Sequence, residues 1–305
     1  MVSESLYAFA ERRRFMISGR SLELAFASFE ASGSGARARR IVLVHGNGLH
    51  LDHWRPFLPR LRRLGRVVAL DLPGFGRSEV HREGPLTLDD HADALLGVLR
   101  HLDGIHGPEP EVLIGHSHGG AIAQTLAARH PSRIAALVLL ASIGTPAHEA
   151  IRLASMPILG GLLLRAAGAT MHPRLAALRR PLTRSLARAA FDPEPVPEGF
   201  VEALLALSER RPEVLRTAVR ASQGDPCRLL RVRASRIEAP VFFAHARGDR
   251  LIPLDRARNL EGQLRALGRE VEFLELAGGH MVHQTHPERV FPPLEAWLEA
   301  IAPGH

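Results

Sequence analysis

The sequence predicts an α/β fold: a mostly parallel, doubly wound sheet with a helical insert after its sixth core strand. Three observations carry this expectation. Short, wholly apolar runs at Ile41 to Val44, Val112 to Ile114 and Ala135 to Ala141 read as strands buried on both faces. Helical patterns alternate with these runs, as they do where a parallel sheet is built from crossover units. From Pro146 to about Arg233 the alternation stops, and Ala, Leu and Arg punctuated by Pro and Gly take over. The expected division is a core of residues 1–145 and 234–305, with a helical cap over 146–233.

Taken in order, Arg14 to Ser18 and Ser21 to Glu30 read as two edge strands joined at Gly19-Arg20, followed by a Gly/Ser/Arg turn to Arg40. The Ile41 strand ends in His45-Gly46-Asn47-Gly48, and Asp52 to Leu64 reads as a helix. Arg66 to Leu70 is the next strand and runs into the turn-rich Asp71-Leu-Pro-Gly-Phe-Gly-Arg-Ser78. Thr87 is placed to cap a helix reaching about Leu102. The central strand, a helix from Ala121 to His130 and the Ala135 strand complete the first half. Beyond the insert come a strand at Val241 to Ala244, a helix at Asp255 to Leu267, a strand at Val271 to Leu276 and a closing helix from Pro287 to Ile301.

Composition narrows the function classes. The chain has 305 residues and a formal charge of +7, and all 39 of its Lys and Arg positions are Arg. The insert holds 14 Arg against eight acidic residues, so most of the excess charge sits there. With two Trp, one Tyr and the bases dispersed among acids, no stacking platform accompanies that charge, and no nucleic-acid partner is expected. A single cysteine, Cys227, excludes an internal disulfide. No run reaches the ~18 apolar residues of a transmembrane helix, and the N-terminus lacks the apolar core of a signal peptide. The expected location is the cytoplasm.

The chemistry centres on Glu111-Val-Leu-Ile-Gly-His-Ser-His-Gly-Gly120, a G-x-S-x-G motif between a strand and a helix. That context puts Ser117 on a tight turn, with the His118 N–H at a helix N-terminus where negative charge is favoured. A nucleophilic Ser needs a base, and the base needs an orienting acid. Asp249, in Arg247-Gly-Asp-Arg-Leu-Ile-Pro253, and His280, in Ala277-Gly-Gly-His280, each follow a strand. Residues beyond the carboxyl ends of parallel strands share one crevice, so Ser117, Asp249 and His280 are expected together. Asp249 has the alternative of capping the next helix. His283 and His286 are alternatives to His280, which is preferred for its tight Gly-Gly turn. A second donor for a developing oxyanion is expected from the loop after Val44, at the Asn47 N–H, beside that of His118.

Together with Trp54, these motifs resemble the α/β-hydrolase fold superfamily over roughly residues 15–144 and 235–301; the insert matches no motif. The resemblance implies a Ser-His-Asp hydrolase: Ser117, His280 and Asp249 as catalytic residues, the Asn47 and His118 amides as oxyanion hole, and no metal or organic cofactor. Relatives that attack with Asp, the haloalkane dehalogenases and epoxide hydrolases, are disfavoured because Ser117 holds that position. The sole tyrosine, Tyr7, lies far from the insert that supplies epoxide-activating tyrosines. Prolyl-aminopeptidase chemistry would look to cap carboxylates such as Glu202, Glu209 and Glu213, which read more simply as an Arg-paired surface. The expected activity is that of a serine esterase, carboxylesterase- or lipase-like, on a small to medium apolar molecule, with Met156 to Met171 available to line its pocket. A carbon–carbon bond hydrolase of an acidic ring-cleavage product and a non-catalytic ligand receptor share the same core motifs, and a lipid-surface role is the alternative in which the apolar stretch docks on a bilayer.

Overall fold

A computed structural model describes residues 4–32, 39–81, 86–142, 176–210, 213–214, 217 and 233–301. Eight strands form one sheet: β1 (Glu11–Ile17), β2 (Arg20–Phe29), β3 (Arg40–Val44), β4 (Arg66–Leu70), β5 (Glu111–His116), β6 (Ile134–Leu140), β7 (Val241–Ala246) and β8 (Val271–Leu276). Their spatial order is β1-β2-β4-β3-β5-β6-β7-β8. The pairs β1/β2 and β2/β4 are antiparallel; every later pair is parallel. The expected α/β architecture is therefore present, with the antiparallel edge formed by the two N-terminal strands.

Alternation within the strands sorts the core into two layers. Val42 and Val44 point to the face covered by α2 (Leu88–His106) and α3 (His118–Arg129). Ile41 and Leu43 point to the other, where Trp54, Phe57 and Phe291 pack, the last two stacked at 4.5 Å. Further α-helices among the described residues are α1 (Leu58–Leu61), α4 (Ala176–Phe191), α5 (Phe200–Arg210), α6 (Leu254–Ala266), α7 (Val282–Thr285) and α8 (Pro287–Ala300). Both α4 and α5 fall within the expected insert. Met156 to Met171 and Cys227 lie outside the described residues. Among the described residues no helix is long and apolar enough to cross a membrane.

Local chemistry explains where elements start and stop. Thr87 caps α2 as expected, its hydroxyl taking the Asp90 N–H at 3.1 Å while the Asp90 carboxylate takes the Thr87 N–H at 2.8 Å. The helix runs on to His106 and stops at Gly107, whose φ of 81° is in the left-handed region. The helix expected over Asp52 to Leu64 is instead a 3₁₀ segment, Leu51–Phe57, followed by the single turn of α1. Pro56 and Pro59 remove two N–H donors there and prevent a continuous α-helical ladder. In the other direction, α3 begins three residues earlier than expected, directly after Ser117.

The end of the sheet away from the loops of interest is held by charge. The Arg40 side chain is wholly buried at the start of β3 and donates to Asp103 at 2.9 Å and to Glu111 at 3.1 Å. Arg133 also donates to Asp103, at 2.9 Å, and to Glu111. Burial opposes ionisation of Asp103, but the Arg133 and Arg40 guanidinium groups hold its carboxyl below the usual carboxylate range. Removing one partner of a buried pair strands the others, at a cost of about 3–5 kcal/mol. Arg40→Met is expected to destabilise by that amount, read as a lower urea midpoint with unchanged slope; a midpoint equal to wild type would contradict it.

Candidate active site

Ser117 sits between β5 and α3 with φ 52° and ψ −120°, a left-handed conformation that costs a non-glycine residue about 1–3 kcal/mol. Hydrogen bonds hold it there. Its N–H donates to the Leu140 carbonyl at 3.1 Å, and its own carbonyl accepts from the Gly120 N–H at 3.0 Å and the Ser142 hydroxyl at 2.9 Å. The turn also needs close backbone approach. A Cβ at Gly119 would lie 2.2 Å from the Val44 carbonyl oxygen, so only glycine lets α3 pack on the end of β3. At Gly46 a Cβ would lie 3.3 Å from Ser117 Cβ, which puts the loop after β3 directly against the serine.

That loop is pinned by His45. Its Nδ1 donates to the Gly46 carbonyl at 2.8 Å and its Nε2 accepts the Leu72 N–H at 3.0 Å, so both bonds require one neutral tautomer. Asn47 follows in the turn closed by the Leu49 N–H on the Gly46 carbonyl at 3.2 Å. Asp71 ties the same region together: it accepts the Leu51 N–H and the Arg77 N–H, both at 2.7 Å, and the Tyr7 hydroxyl at 2.9 Å. Sequence reasoning noted the His45 and Asp71 motifs but assigned neither residue a task.

Asp249 lies three residues past β7, almost fully buried. Its Oδ1 accepts the Leu251 and Ile252 N–H groups at 2.9 and 2.8 Å, and its Oδ2 accepts Nδ1–H of His280 at 2.9 Å. It does not cap α6, whose N-cap is Pro253. Behind it, His245 Nε2 donates to the Ile252 carbonyl at 2.8 Å and closes the turn that aims the carboxylate. With Nδ1 protonated toward Asp249, His280 keeps a lone pair on Nε2, the tautomer of a general base. Its ring lies 4.9 Å from that of His116, the residue before Ser117, and His116 Nε2 donates to the His280 carbonyl at 3.3 Å. Ser117 and His280 are thus joined through the neighbour they share.

The alternatives to His280 go elsewhere. His283 faces His53, with Nε2 to Nε2 at 2.8 Å, and His286 bonds Glu194 at 3.0 Å. Glu202 pairs with Arg180 at 2.6 Å on the exposed surface. The C-terminal end of α4 docks on the same loops: Met281 N–H donates to the Ala190 carbonyl at 3.2 Å, and Arg250 pairs with Asp192 at 2.7 Å. One feature was not anticipated. His53, His116 and His283 come together in a buried cluster, with one ring nitrogen from each within 4.8 Å of the others.

Burial keeps these imidazoles neutral. His45, His91 and His283 are each lowered to about 3 by desolvation, and His53 and His116 fall well below the ordinary value for the same reason. The stability consequence has a definite sign. The native state holds these groups unprotonated while the unfolded chain binds protons below pH ~6.5. Their contribution is therefore complete above that pH and is lost as pH falls toward about 3. Each such group adds a slope of about 1.4 kcal/mol per pH unit in that window. Urea midpoints measured from pH 7 to pH 4.5 are expected to fall steeply; a flat profile would mean that these rings are charged or solvated.

Comparison with known proteins identifies the family and the fold. A sequence profile described as the alpha/beta hydrolase family matches residues 41–292. The dihydrolipoyllysine-residue acetyltransferase component of the acetoin cleaving system of Pseudomonas putida is 33% identical over 275 residues, 88% of this chain but 65% of that protein. The 2-hydroxymuconate semialdehyde hydrolase of Pseudomonas sp. strain CF600 is 37% identical over 125 residues, 40% of each chain. The chain thus spans less than two thirds of these curated relatives. Among solved structures, an esterase from Thermogutta terrifontis has a TM-score of 0.74 at 22% identity, covering 96% of this chain and 99% of the other. The 2-hydroxy-6-oxo-6-phenylhexa-2,4-dienoate hydrolase of Rhodococcus sp. strain RHA1 has a TM-score of 0.72 at 27% identity, covering 95% and 99%. Profile, sequence relatives and fold converge: the chain belongs to the alpha/beta hydrolase family.

Proposed function

We propose that the protein is a serine hydrolase that cleaves an ester-type bond through an acyl-enzyme on Ser117, with no metal or organic cofactor in the reaction. The observation that carries this reading is the 2.9 Å bond from His280 Nδ1–H to Asp249, which leaves Nε2 as the proton acceptor on a ring packed beside the serine elbow. In the proposed sequence His280 takes the Ser117 proton as Oγ attacks the carbonyl. The oxyanion forms against the Asn47 and His118 amides, each such donor being worth ~2.7–4 kcal/mol in the transition state. His280 then protonates the leaving alcohol, and in the second half-reaction activates water. Asp249 holds the ring tautomer and stabilises the imidazolium throughout. Residues 146–233 are assigned as the cap that selects the substrate, and the docking of Ala190 to Asp192 on the catalytic loops supports that assignment.

A second reading has its own support. The relatives include two hydrolases named for unsaturated oxo compounds, so a carbon–carbon bond hydrolase would use the same three side chains on an acidic ring-cleavage product. The pimeloyl-[acyl-carrier protein] methyl ester esterase of Sodalis glossinidius, 37% identical over 109 residues, favours the ester reading.

Steady-state turnover of a p-nitrophenyl ester series, acetyl to palmitoyl, distinguishes these readings. Wild type is expected to turn over, and Ser117→Ala to lose at least ~10³-fold in kcat. Equal rates for the two would remove Ser117 from the mechanism. Asp249→Asn is expected to lower kcat by about 10⁴ through the wrong tautomer, with KM little changed. If wild type is inert on every ester yet cleaves a dienoate-type oxo acid, the carbon–carbon reading replaces the ester one.

A further inference from the structure

Three histidines beside the proposed triad have no task in its chemistry. They come from distant segments: His53 from the 3₁₀ segment after β3, His116 from the end of β5, and His283 from α7. All three are buried. Their rings form one packed group, with centroids 5.5 Å apart for His53 and His116, 4.4 Å for His116 and His283, and 5.1 Å for His53 and His283.

Protons alone satisfy this cluster poorly. His116 Nε2 faces the His280 carbonyl and so carries a hydrogen, which leaves Nδ1 as a buried lone pair with no hydrogen-bond partner among the described residues. His53 and His283 bring Nε2 to Nε2 at 2.8 Å, a separation that needs a proton or a cation between them. The proton solution runs from Gln284 Nε2 to His53 Nδ1 at 2.8 Å and on through His53 to His283. It ends on His283 Nδ1, which is then a buried N–H without a partner among the described residues. A cation on His283 Nε2 leaves that N–H as it is, so the buried lone pair of His116 Nδ1 is the group a cation would satisfy.

We propose that His53, His116 and His283 form a binding site for one borderline transition-metal cation, zinc(II) in the first instance. The donor set is three imidazoles, which selects zinc, copper, nickel or cobalt over magnesium or calcium. The spacing fits: tetrahedral zinc with bonds of about 2.0–2.1 Å holds its ligand nitrogens about 3.4 Å apart. Here one nitrogen per ring lies within 4.8 Å of the others, with 2.8 Å for the His53–His283 pair, so the short pair opens and the longer separations shorten by up to about 1.4 Å to reach that spacing. Two of the three rings, His116 and His53, also have a supporting contact on their other nitrogen. A metal-bound imidazole usually donates its other N–H to a carbonyl or similar acceptor. His116 does so to the His280 carbonyl. Gln284 can do the same for His53 once its amide turns to present oxygen. Burial keeps the rings neutral, the state that binds metal.

The test reads metal rather than turnover, so its outcome is separable from the hydrolase reading. Wild-type protein, stripped with chelator, is dialysed against buffered zinc(II). One equivalent is expected to bind at micromolar affinity or tighter. His53→Phe and His283→Phe, which keep the ring volume, are expected to weaken binding at least ~100-fold. Gln284→Leu is expected to weaken it ~10-fold. No bound equivalent, or binding unchanged in both Phe variants, overturns the site. Should either variant fail to fold, wild-type crystals soaked in zinc answer the question by anomalous scattering at the zinc edge. A peak bonded to all three rings sustains the proposal. A peak only at His280 and Asp249 or at the surface, or no peak, ends it.

Discussion

The packing of α3 against the ends of β3 and β5 leaves room for backbone and nothing more. Where a Cβ at Gly119 would lie 2.2 Å from the Val44 carbonyl, the helix can begin immediately after the strand, and one residue must make the turn. That residue is Ser117, and its positive φ follows from the geometry rather than from any preference of serine. Three bonds to its backbone, from and to Leu140, Gly120 and Ser142, spread the cost over two further elements. The strain also fixes a side chain at the helix N-terminus, half-buried, with the β3 loop against it. Everything proposed for the chemistry depends on this position being held before a substrate arrives.

The rest of the sheet supports that position from a distance. Registers run level across the parallel strands, with Val44 opposite Leu70 and Gly115, His116 opposite Leu140, and Ala246 opposite Leu276. The loops that follow these ends are therefore neighbours, which brings Asn47, Ser117, Asp249 and His280 to one edge. At the opposite end, the Arg40 and Arg133 network ties β3, β5 and α2 through Asp103 and Glu111. One end of the sheet is thus fixed by compact charge pairing, and the other is free to carry loops whose shape serves a site.

Sequence reasoning reached the elements whose signal is local. Short apolar runs became strands because both faces are covered, and Thr87 became a cap because Asp90 stands three residues on. The approach of Asp249 and His280 was legible too, since topology alone carries strand ends to one crevice. Segments without such a signal were misread or passed over. Asp52 to Leu64 has helical periodicity, but its prolines act on backbone donors, which periodicity does not register. The tasks of His45 and Asp71 could not be read because their partners are backbone groups, in their own loops and in others, that carry no residue-type signal. The His53, His116 and His283 cluster defeats any search for fixed ligand spacing, because three separate elements supply it.

Histidine is where these levels meet. Seventeen are present, and type alone cannot say which of them moves protons. Environment can. His45 spends one nitrogen on its own loop and the other on the loop after β4, and burial holds it neutral. His245 spends Nε2 on the turn that aims Asp249. His53, His116 and His283 pack against one another with no carboxylate among their hydrogen-bond partners in the described residues. A ring without a nearby anion gains nothing from taking up a proton in a dry interior, whereas it can still offer a lone pair. His280 differs in one respect: a carboxylate oxygen lies 2.9 Å from Nδ1, so a proton gained at Nε2 has a counter-charge waiting. The same buried histidine chemistry therefore divides by partner, with the ring facing Asp249 suited to proton transfer and the rings facing each other suited to a metal ion.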